Sequence, residues 1–540
     1  MKELGFQVGD IVVSSIDVEG RQSLVEDIGL ITKIDPVGDS FLLSIIPLIS
    51  DAHAAMVSSY AELGENARTE NDYELSEEDF DCSRMKTVSG DKCKKVSEAD
   101  PAMLREVMAR QISESVRHYE QVCSSEAEFV AGTSSIPASG KVLGAEEKCN
   151  MVSASLDGWL TAGRFNDEFE AHLRDFLGAK HVLTVNSGSS ANLVALSALT
   201  SPRLADRAIK AGDEVITVAA GFPTTINPIM QCGAIPVFID VELETYNIDA
   251  SQIERAITSK TRAIMLAHTL GNAFNLKIIS ELCERHKLWL VEDCCDALGT
   301  EYEGKRVGTF GDIGTLSFYP AHHITVGEGG AVFTNSGKLK PILESFRDWG
   351  RDCFCRPGED NTCGKRFDWK LGQLPEGYDH KYIYSHMGYN LKITDMQAAC
   401  GVAQMNRLRA FIEARKRNFG FLYDALRPLE NELLLPKATP GCNPSWFGFP
   451  ITLRSDKHSR RNLLKMLDAN KIGSRLLFAG NVVKQPYMEG KQYRVHGVLE
   501  NTEKIMRDAF WIGIYPGLTH EMLEFSAKTI SSYFSRIPTK

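Results

Sequence analysis

His181-Val182-Leu183-Thr184-Val185 runs straight into Asn186-Ser187-Gly188-Ser189-Ser190-Ala191-Asn192. The first five residues have the length and apolar, β-branched character of a buried strand. The seven that follow are small and polar and lie between this strand and a helix. Such a turn leaves backbone N–H groups free at a helix N-terminus, which can cradle a phosphate. By itself it establishes a strand–turn–helix unit and not yet a site.

Working outward, the unit recurs. Residues 214–218, 235–239, 263–267 and 288–291 are short apolar strands, with helical segments between several of them, 280–287 among these. Upstream, Asn166 is expected to cap a helix carrying Phe169, Leu173 and Phe176, and Gly178 to end it. Strand and helix in alternation call for a parallel sheet with helices on both faces, an α/β fold. This pattern fills residues 145–400. Residues 401–540 mix helix and strand and are expected to form a smaller α+β domain. Residues 86–144 read as a helical segment, with Met103, Leu104, Val107, Ile112 and Val116 near one face, and then a linker or ordered arm over 131–140. Residues 1–85 carry strand-like pieces at 9–13, 29–34 and 41–46 and are expected to form a small β module. No internal repeat is visible.

Composition narrows the classes. The 540 residues are 43% hydrophobic and 24% charged, as in globular chains, which excludes collagen-like or wholly disordered architecture. The net charge of −11 gives no general basis for holding a nucleic acid. The longest apolar run, 41–49, is interrupted by Ser44 and Pro47 and falls short of the roughly 20 residues of a membrane span. Met1-Lys2-Glu3-Leu4-Gly5 has no apolar leader pattern, so a cytoplasmic location is expected. In such a compartment the 13 cysteines read as thiols or ligands before disulfides.

Two stretches carry chemistry. Val291-Glu292-Asp293-Cys294-Cys295-Asp296 puts an acid at the end of a buried strand, on the ligand edge of a parallel sheet. A buried aspartate needs a cationic partner, unless it is a structural helix cap. Cys353-Phe354-Cys355 is followed by seven residues and Cys363 in a loop rich in Gly, Pro and Asp. Three thiols so close in such a loop are poor core packing and good ligands. Iron–sulfur clusters and tetrahedral zinc both take four thiolates, so the fourth must come from elsewhere in the fold. Cys82, Cys93, Cys123, Cys149, Cys232, Cys283, Cys400 and Cys442 have no such grouping and read as plain thiols.

Thr315-Leu316-Ser317-Phe318-Tyr319-Pro320-Ala321-His322-His323-Ile324-Thr325-Val326-Gly327-Glu328-Gly329-Gly330, with Gly388-Tyr389-Asn390-Leu391-Lys392-Ile393-Thr394-Asp395-Met396-Gln397-Ala398-Ala399, resembles the DegT/DnrJ/EryC1 sugar-nucleotide aminotransferases. The resemblance covers about 128–540. It implies the aspartate aminotransferase fold, that is, the fold type I of pyridoxal-phosphate-dependent transferases. Within the family it points to the 3-dehydratase branch acting on CDP-4-keto-6-deoxyglucose, which makes 3,6-dideoxysugars for bacterial surface polysaccharide. The family's Schiff-base lysine slot holds His322 here. An imidazole cannot store pyridoxal phosphate covalently, so the cofactor is expected as pyridoxamine phosphate (PMP), with His322 moving a proton.

The remaining roles are also implied by resemblance. Asp293 faces the protonated pyridine nitrogen. Gly188, Ser189 and Ser317 hold the phosphate, Phe222 stacks on the ring, and Asp296 and Tyr319 touch cofactor or substrate. Asn390 reaches the phosphate of a neighbouring subunit, implying a homodimer. Cys295, Cys353, Cys355 and Cys363 bind a [2Fe–2S] cluster, with Cys294 the rival for the first position. Its electrons come from a separate NAD(P)H-dependent flavin and iron–sulfur reductase; no GxGxxG fingerprint occurs in this chain. The alternatives are a PMP dehydratase or aminotransferase without a cluster, or a non-catalytic relative with structural zinc. Residues 1–85 faintly resemble the SH3-like barrel of PemK/MazF toxins, without a catalytic set.

Overall fold

The computed structural model describes residues 128–535 apart from Phe354, Arg356 and Pro357, the helix α1 (Pro101–Cys123), and five strands before it. The chain divides into two compact units, Met1–Ser125 and Glu126–Lys540. The first holds β1 (Ile11–Val18), β2 (Arg21–Val37), β3 (Ser40–Pro47), β4 (Lys86–Ser89) and β5 (Cys93–Lys95). They form one antiparallel sheet in the order β4-β3-β2-β1-β5. The division falls at 125/126, whereas the sequence suggested 85 and 144. The reason is contact: α1 packs on β2 within the first unit. The 131–140 stretch belongs to the second, where Ile136 bridges Ile472 and Gly473 N–H donates to the Ile136 carbonyl at 2.7 Å. Within the 1–85 stretch compared above with toxin barrels, the segment 75–80 lies outside the described residues.

The second unit opens with α2 (Ala145–Asp157) and α3 (Arg164–Leu177). Gly178 does end α3, with a left-handed φ of 67°. Asn166, however, lies inside the helix. The capping acceptor is Asp395, whose Oδ1 takes the Gly163 and Asn166 N–H groups at 2.9 Å each. A carboxylate 229 residues away does what a local cap does elsewhere.

Eight strands form the large sheet. In chain order they are β6 (His181–Val185), β7 (Glu214–Val218), β8 (Ile235–Ile239), β9 (Thr261–Ala267), β10 (Trp289–Asp293), β11 (Ile313–Ser317), β12 (Gly330–Thr334) and the short Arg494–Val495. The order across the sheet is Arg494–Val495, β8, β7, β9, β10, β11, β12, β6. Only β12 runs against the others. Successive side chains feed opposite faces. Ile264, Leu266, Leu290, Leu316 and Phe333 enter one core layer, with α3 and the helix α6 (Leu276–His286). Ala263, Met265, Val291, Ile313 and Val332 enter the other, with α4 (Gly188–Ala198) and α7 (Leu339–Arg347).

The helix α8 (Asp395–Leu426) begins in the first of these layers, through Ala398 and Leu408. It ends in a third core, through Leu422 and Leu426, beneath a four-stranded antiparallel sheet that includes Phe449–Leu453 and Ala509–Ile512. The boundary expected at 400/401 therefore falls inside one continuous helix. No helix of the described residues is long and apolar enough to cross a membrane.

Candidate active site

A cavity of about 490 Å³ opens at the carboxyl ends of the parallel strands. Parallel topology directs every strand's C-terminal end, and the turn after it, to this one edge. Gly188 and Ser189 come from the turn after β6, Phe222 immediately precedes the helix α5 (Pro223–Gln231), Asp293 ends β10 and Ser317 ends β11. Asp296, Tyr319 and His322 line the same cavity, joined by Arg475 and Trp511 from the C-terminal part of the chain.

The cradle at Gly188 is shaped by close approach. A Cβ there would lie 2.4 Å from Ser317 Cβ, so only glycine lets the turn meet the end of β11. Ser187 caps α4 by accepting the Ser190 N–H at 3.0 Å. The amides of the first helical positions have no partner inside the helix and suit an anion.

Asp293 is 4% exposed. Its Oδ2 accepts from Asn192 Nδ2 at 2.8 Å and Thr225 Oγ1 at 2.7 Å, and its Oδ1 accepts the Cys295 N–H at 3.1 Å. Thr315 Oγ1 donates to Asn192 Oδ1 at 2.7 Å and so turns that amide's N–H toward the carboxylate. These donors orient the carboxylate but are all neutral. A protonated heterocycle in the cavity would supply the opposite charge that a buried carboxylate calls for.

His322 Nδ1 is buried without a hydrogen-bond partner and sits 3.4 Å from Asp296 Oδ1. Burial pushes the imidazole down to about 4, so it is neutral and able to accept a proton at pH 7. Burial, then the Asp293 charge, push Asp296 up to about 8. Arg415 donates to the His322 carbonyl at 3.2 Å and to the Phe447 carbonyl at 2.9 Å, fixing the turn, and Phe447 packs on the imidazole with ring centres 5.2 Å apart. The adjacent His323 donates Nε2–H to the Ser445 carbonyl at 2.8 Å, which is a structural bond. Phe222 and Tyr319, 50% and 51% exposed, flank the mouth.

Nine of the expected residues thus meet in one cavity: Gly188, Ser189, Phe222, Asp293, Cys295, Asp296, Ser317, Tyr319 and His322. Asn390 does not line it. Its side chain is exposed, with Oδ1 accepting Lys392 Nζ at 2.7 Å. Sequence reasoning missed Asn192, Thr225, Arg415 and Phe447. Only Asn192 carried a signal, one turn along α4 from the Gly-Ser cradle.

The cysteines divide. Cys353 and Cys355 place their sulfurs, together with an imidazole nitrogen of His380, all within 4.8 Å of one another, and Cys363 Sγ lies 3.8 Å from His380 Nε2. Cys295 does not join this group. Its sulfur lines the cavity beside the Gly188 cradle. Cys294 is buried in the core, its thiol donating toward the Glu292 carbonyl at 3.6 Å.

Residues 143–530 match the DegT/DnrJ/EryC1/StrS aminotransferase family. The chain belongs to this family, and its second unit has the pyridoxal-phosphate-dependent aminotransferase fold. Lipopolysaccharide biosynthesis protein RfbH of Salmonella typhimurium is 63% identical over 428 residues, 79% of this chain and 98% of that protein. The dTDP-4-dehydro-2,6-dideoxy-D-glucose 3-dehydratase of Saccharopolyspora spinosa is 49% identical over 451 residues, 83% of this chain and 96% of that protein. Among solved structures, an E. coli GDP-4-keto-6-deoxy-D-mannose-3-dehydratase with bound hydrated pyridoxal phosphate is 27% identical at a TM-score of 0.65. It covers 73% of this chain and 99% of its own.

Proposed function

We propose that the chain is a PMP-dependent 3-dehydratase of a CDP-4-keto-6-deoxyhexose, removing the carbon-3 hydroxyl to give a 4-keto-3,6-dideoxysugar. The observation that carries this reading is His322. The cavity presents a neutral imidazole where the family's aminotransferases present a lysine, and no lysine lines the cavity among the described residues. The relatives named as sugar 3-dehydratases support the same reaction class.

The donor set fits the cofactor: an anion cradle at Gly188 and Ser189, a buried carboxylate with neutral donors, and an imidazole with an orphaned nitrogen. When bound, PMP supplies an amine for the sugar's C-4 ketone and a ring able to accept an electron pair. Asp293, buried and oriented by neutral donors, would face the ring nitrogen and hold it protonated. His322, with Nδ1 3.4 Å from Asp296 Oδ1, would accept at Nε2 the proton that leaves carbon in the elimination and would donate it to the departing hydroxyl, so that water leaves and the imidazole returns neutral. Asp296, neutral at pH 7, adds no charge that would trap the proton on the imidazole. Asn390 of a second copy would complete the phosphate site in a homodimer.

Elimination of water needs no outside electrons, whereas formation of the 3-deoxy product needs two. The loop thiols Cys353, Cys355 and Cys363 would bind a [2Fe–2S] cluster that passes these electrons one at a time from a separate NAD(P)H-dependent flavin and iron–sulfur reductase. The test is an anaerobic assay of CDP-4-keto-6-deoxyglucose with PMP, with and without such a reductase and NADH. Product formation only with both, by protein holding about two irons per chain, is expected. Colourless zinc protein, or turnover without a donor, would remove the redox half. Preference for the dTDP or GDP sugar would reassign the substrate.

A further inference from the structure

One wall of the cofactor cavity comes from outside the large sheet. Ser139, from the arm over 131–140, lines it together with Arg475 and Trp511. These three are held as one block. Arg475 lies in the short strand Ser474–Arg475 and pairs with Trp511 in Ala509–Ile512. Trp511, 7% exposed, donates its Nε1–H to the Leu476 carbonyl at 3.1 Å. The arm is seated tightly against the same part of the chain. A Cβ on Gly473 would lie 2.8 Å from the Ala138 nitrogen, and one on Gly513 2.6 Å from the Pro137 carbonyl oxygen.

The charge on this wall is isolated. Among the described residues Arg475 is the one arginine or lysine that lines the cavity. It is exposed, its Nη1 donates to the neighbouring Ser474 carbonyl at 2.8 Å, and it has no ion pair among the described residues. A guanidinium is always charged, and its planar fork matches two oxygens of a phosphate at once. Set on a strand and left without a carboxylate, it is built to take an anion from the cavity. The cradle at Gly188 and Ser189 offers backbone amides and serves the cofactor's phosphate. A nucleotide sugar brings a second anion, its diphosphate, which that cradle cannot also hold.

We propose that Arg475 anchors the diphosphate of the substrate and so selects nucleotide-activated sugars over free ones, with Ser139 on the same wall. This rests on the nucleotide-sugar reading above, but not on which base the nucleotide carries. The strand pairing and the seated arm hold the anchor in place before the ligand arrives, so little ordering entropy opposes the contact.

Binding alone tests it, in full-length protein holding PMP. The probes for titration calorimetry are CDP, which lacks the hexose and cannot be dehydrated, and cytidine, which lacks the phosphates. Arg475→Ala should weaken CDP by about 10–100-fold, the scale of hydrogen bonds to charged groups, while cytidine affinity and bound PMP stay as in the unmutated protein. Arg475→Lys keeps the charge but loses the planar fork, and its CDP affinity should fall between the two. Unchanged CDP affinity in Arg475→Ala, or an equal proportional loss for cytidine, overturns the proposal. Should Arg475→Ala fail to retain PMP, Arg475→Gln is read by the same contrast. GDP and dTDP, each with its nucleoside, are run in parallel. Tighter binding of one of these changes only the base assigned to the substrate, and the loss in Arg475→Ala on that pair then decides the anchor. Binding of none of the three diphosphates by the unmutated protein overturns it.

Discussion

The cofactor cavity and the cysteine loop solve the same problem of holding several polar groups together, by different means. The cavity draws its groups from the ends of β6, β10 and β11, strands locked by ladders and two core layers. Its precision comes from the sheet. Among the described residues of the loop over 353–363 there is no helix or strand; ion pairs and one buried histidine lie against it instead. A site on a sheet edge inherits rigidity, whereas a site on a loop has to be organised by its ligands and anchors, and a bound metal adds directly to its stability.

If the two regions are separable in function, mutations will separate them. Cys353→Ser should bring iron from about two per chain to near none and abolish net deoxygenation. It should leave intact the exchange of substrate oxygen with ¹⁸O-water, which reports elimination alone. Loss of both together would mean that loop and cavity act as one unit. His322→Asn should lower both activities by about 10²–10⁴-fold, the usual share of a general base, with iron content unchanged. His322→Lys should hold pyridoxal phosphate covalently, as borohydride trapping and mass measurement would detect, and suppress dehydration.

The proton chemistry has a pH signature. Burial holds His322 down to about 4, so the rate of elimination should show no acid limb near 6.5 and should fall only as pH drops toward 4. Asp296 stays protonated until about pH 8. Above that its charge, 3.4 Å from Nδ1, makes the imidazole a stronger base, and the rate should rise there in the native enzyme but not in Asp296→Asn. Smaller still are two structural effects. Gly188→Ala forces a Cβ against Ser317 and should weaken PMP binding and cost about 1–3 kcal/mol by calorimetry. Asp395→Ala removes the long-range cap of α3 and should cost about 0.5–2 kcal/mol while sparing both sites.

Both sites were partly legible in advance, and the missing parts share a character. The Gly-Ser turn, the acid at the end of β10 and the histidine in the lysine slot sit in contiguous motifs, and a parallel sheet carries such motifs to one edge automatically. The residues that orient them do not sit in motifs. Thr225 and Arg415 look like any helical threonine or arginine until they are found bonded to Asp293 Oδ2 and the His322 carbonyl. Asn166 illustrates the converse. It is a good local cap by type, yet the α3 amides go to Asp395.

Periodicity and turn chemistry along the chain were enough for the α/β class and the strand ends, because those depend on neighbours a few residues apart, whereas the roles proposed for the reacting groups rest on the family resemblance. Which thiols gather was not decidable that way. Cys294 and Cys295 are adjacent, yet one packs in the core and the other faces the cavity. His380 has no cysteine-like spacing to advertise it and comes within 4.8 Å of the Cys353 and Cys355 sulfurs only because the chain returns there. Which side chains gather depends on distances in space, and folding sets those.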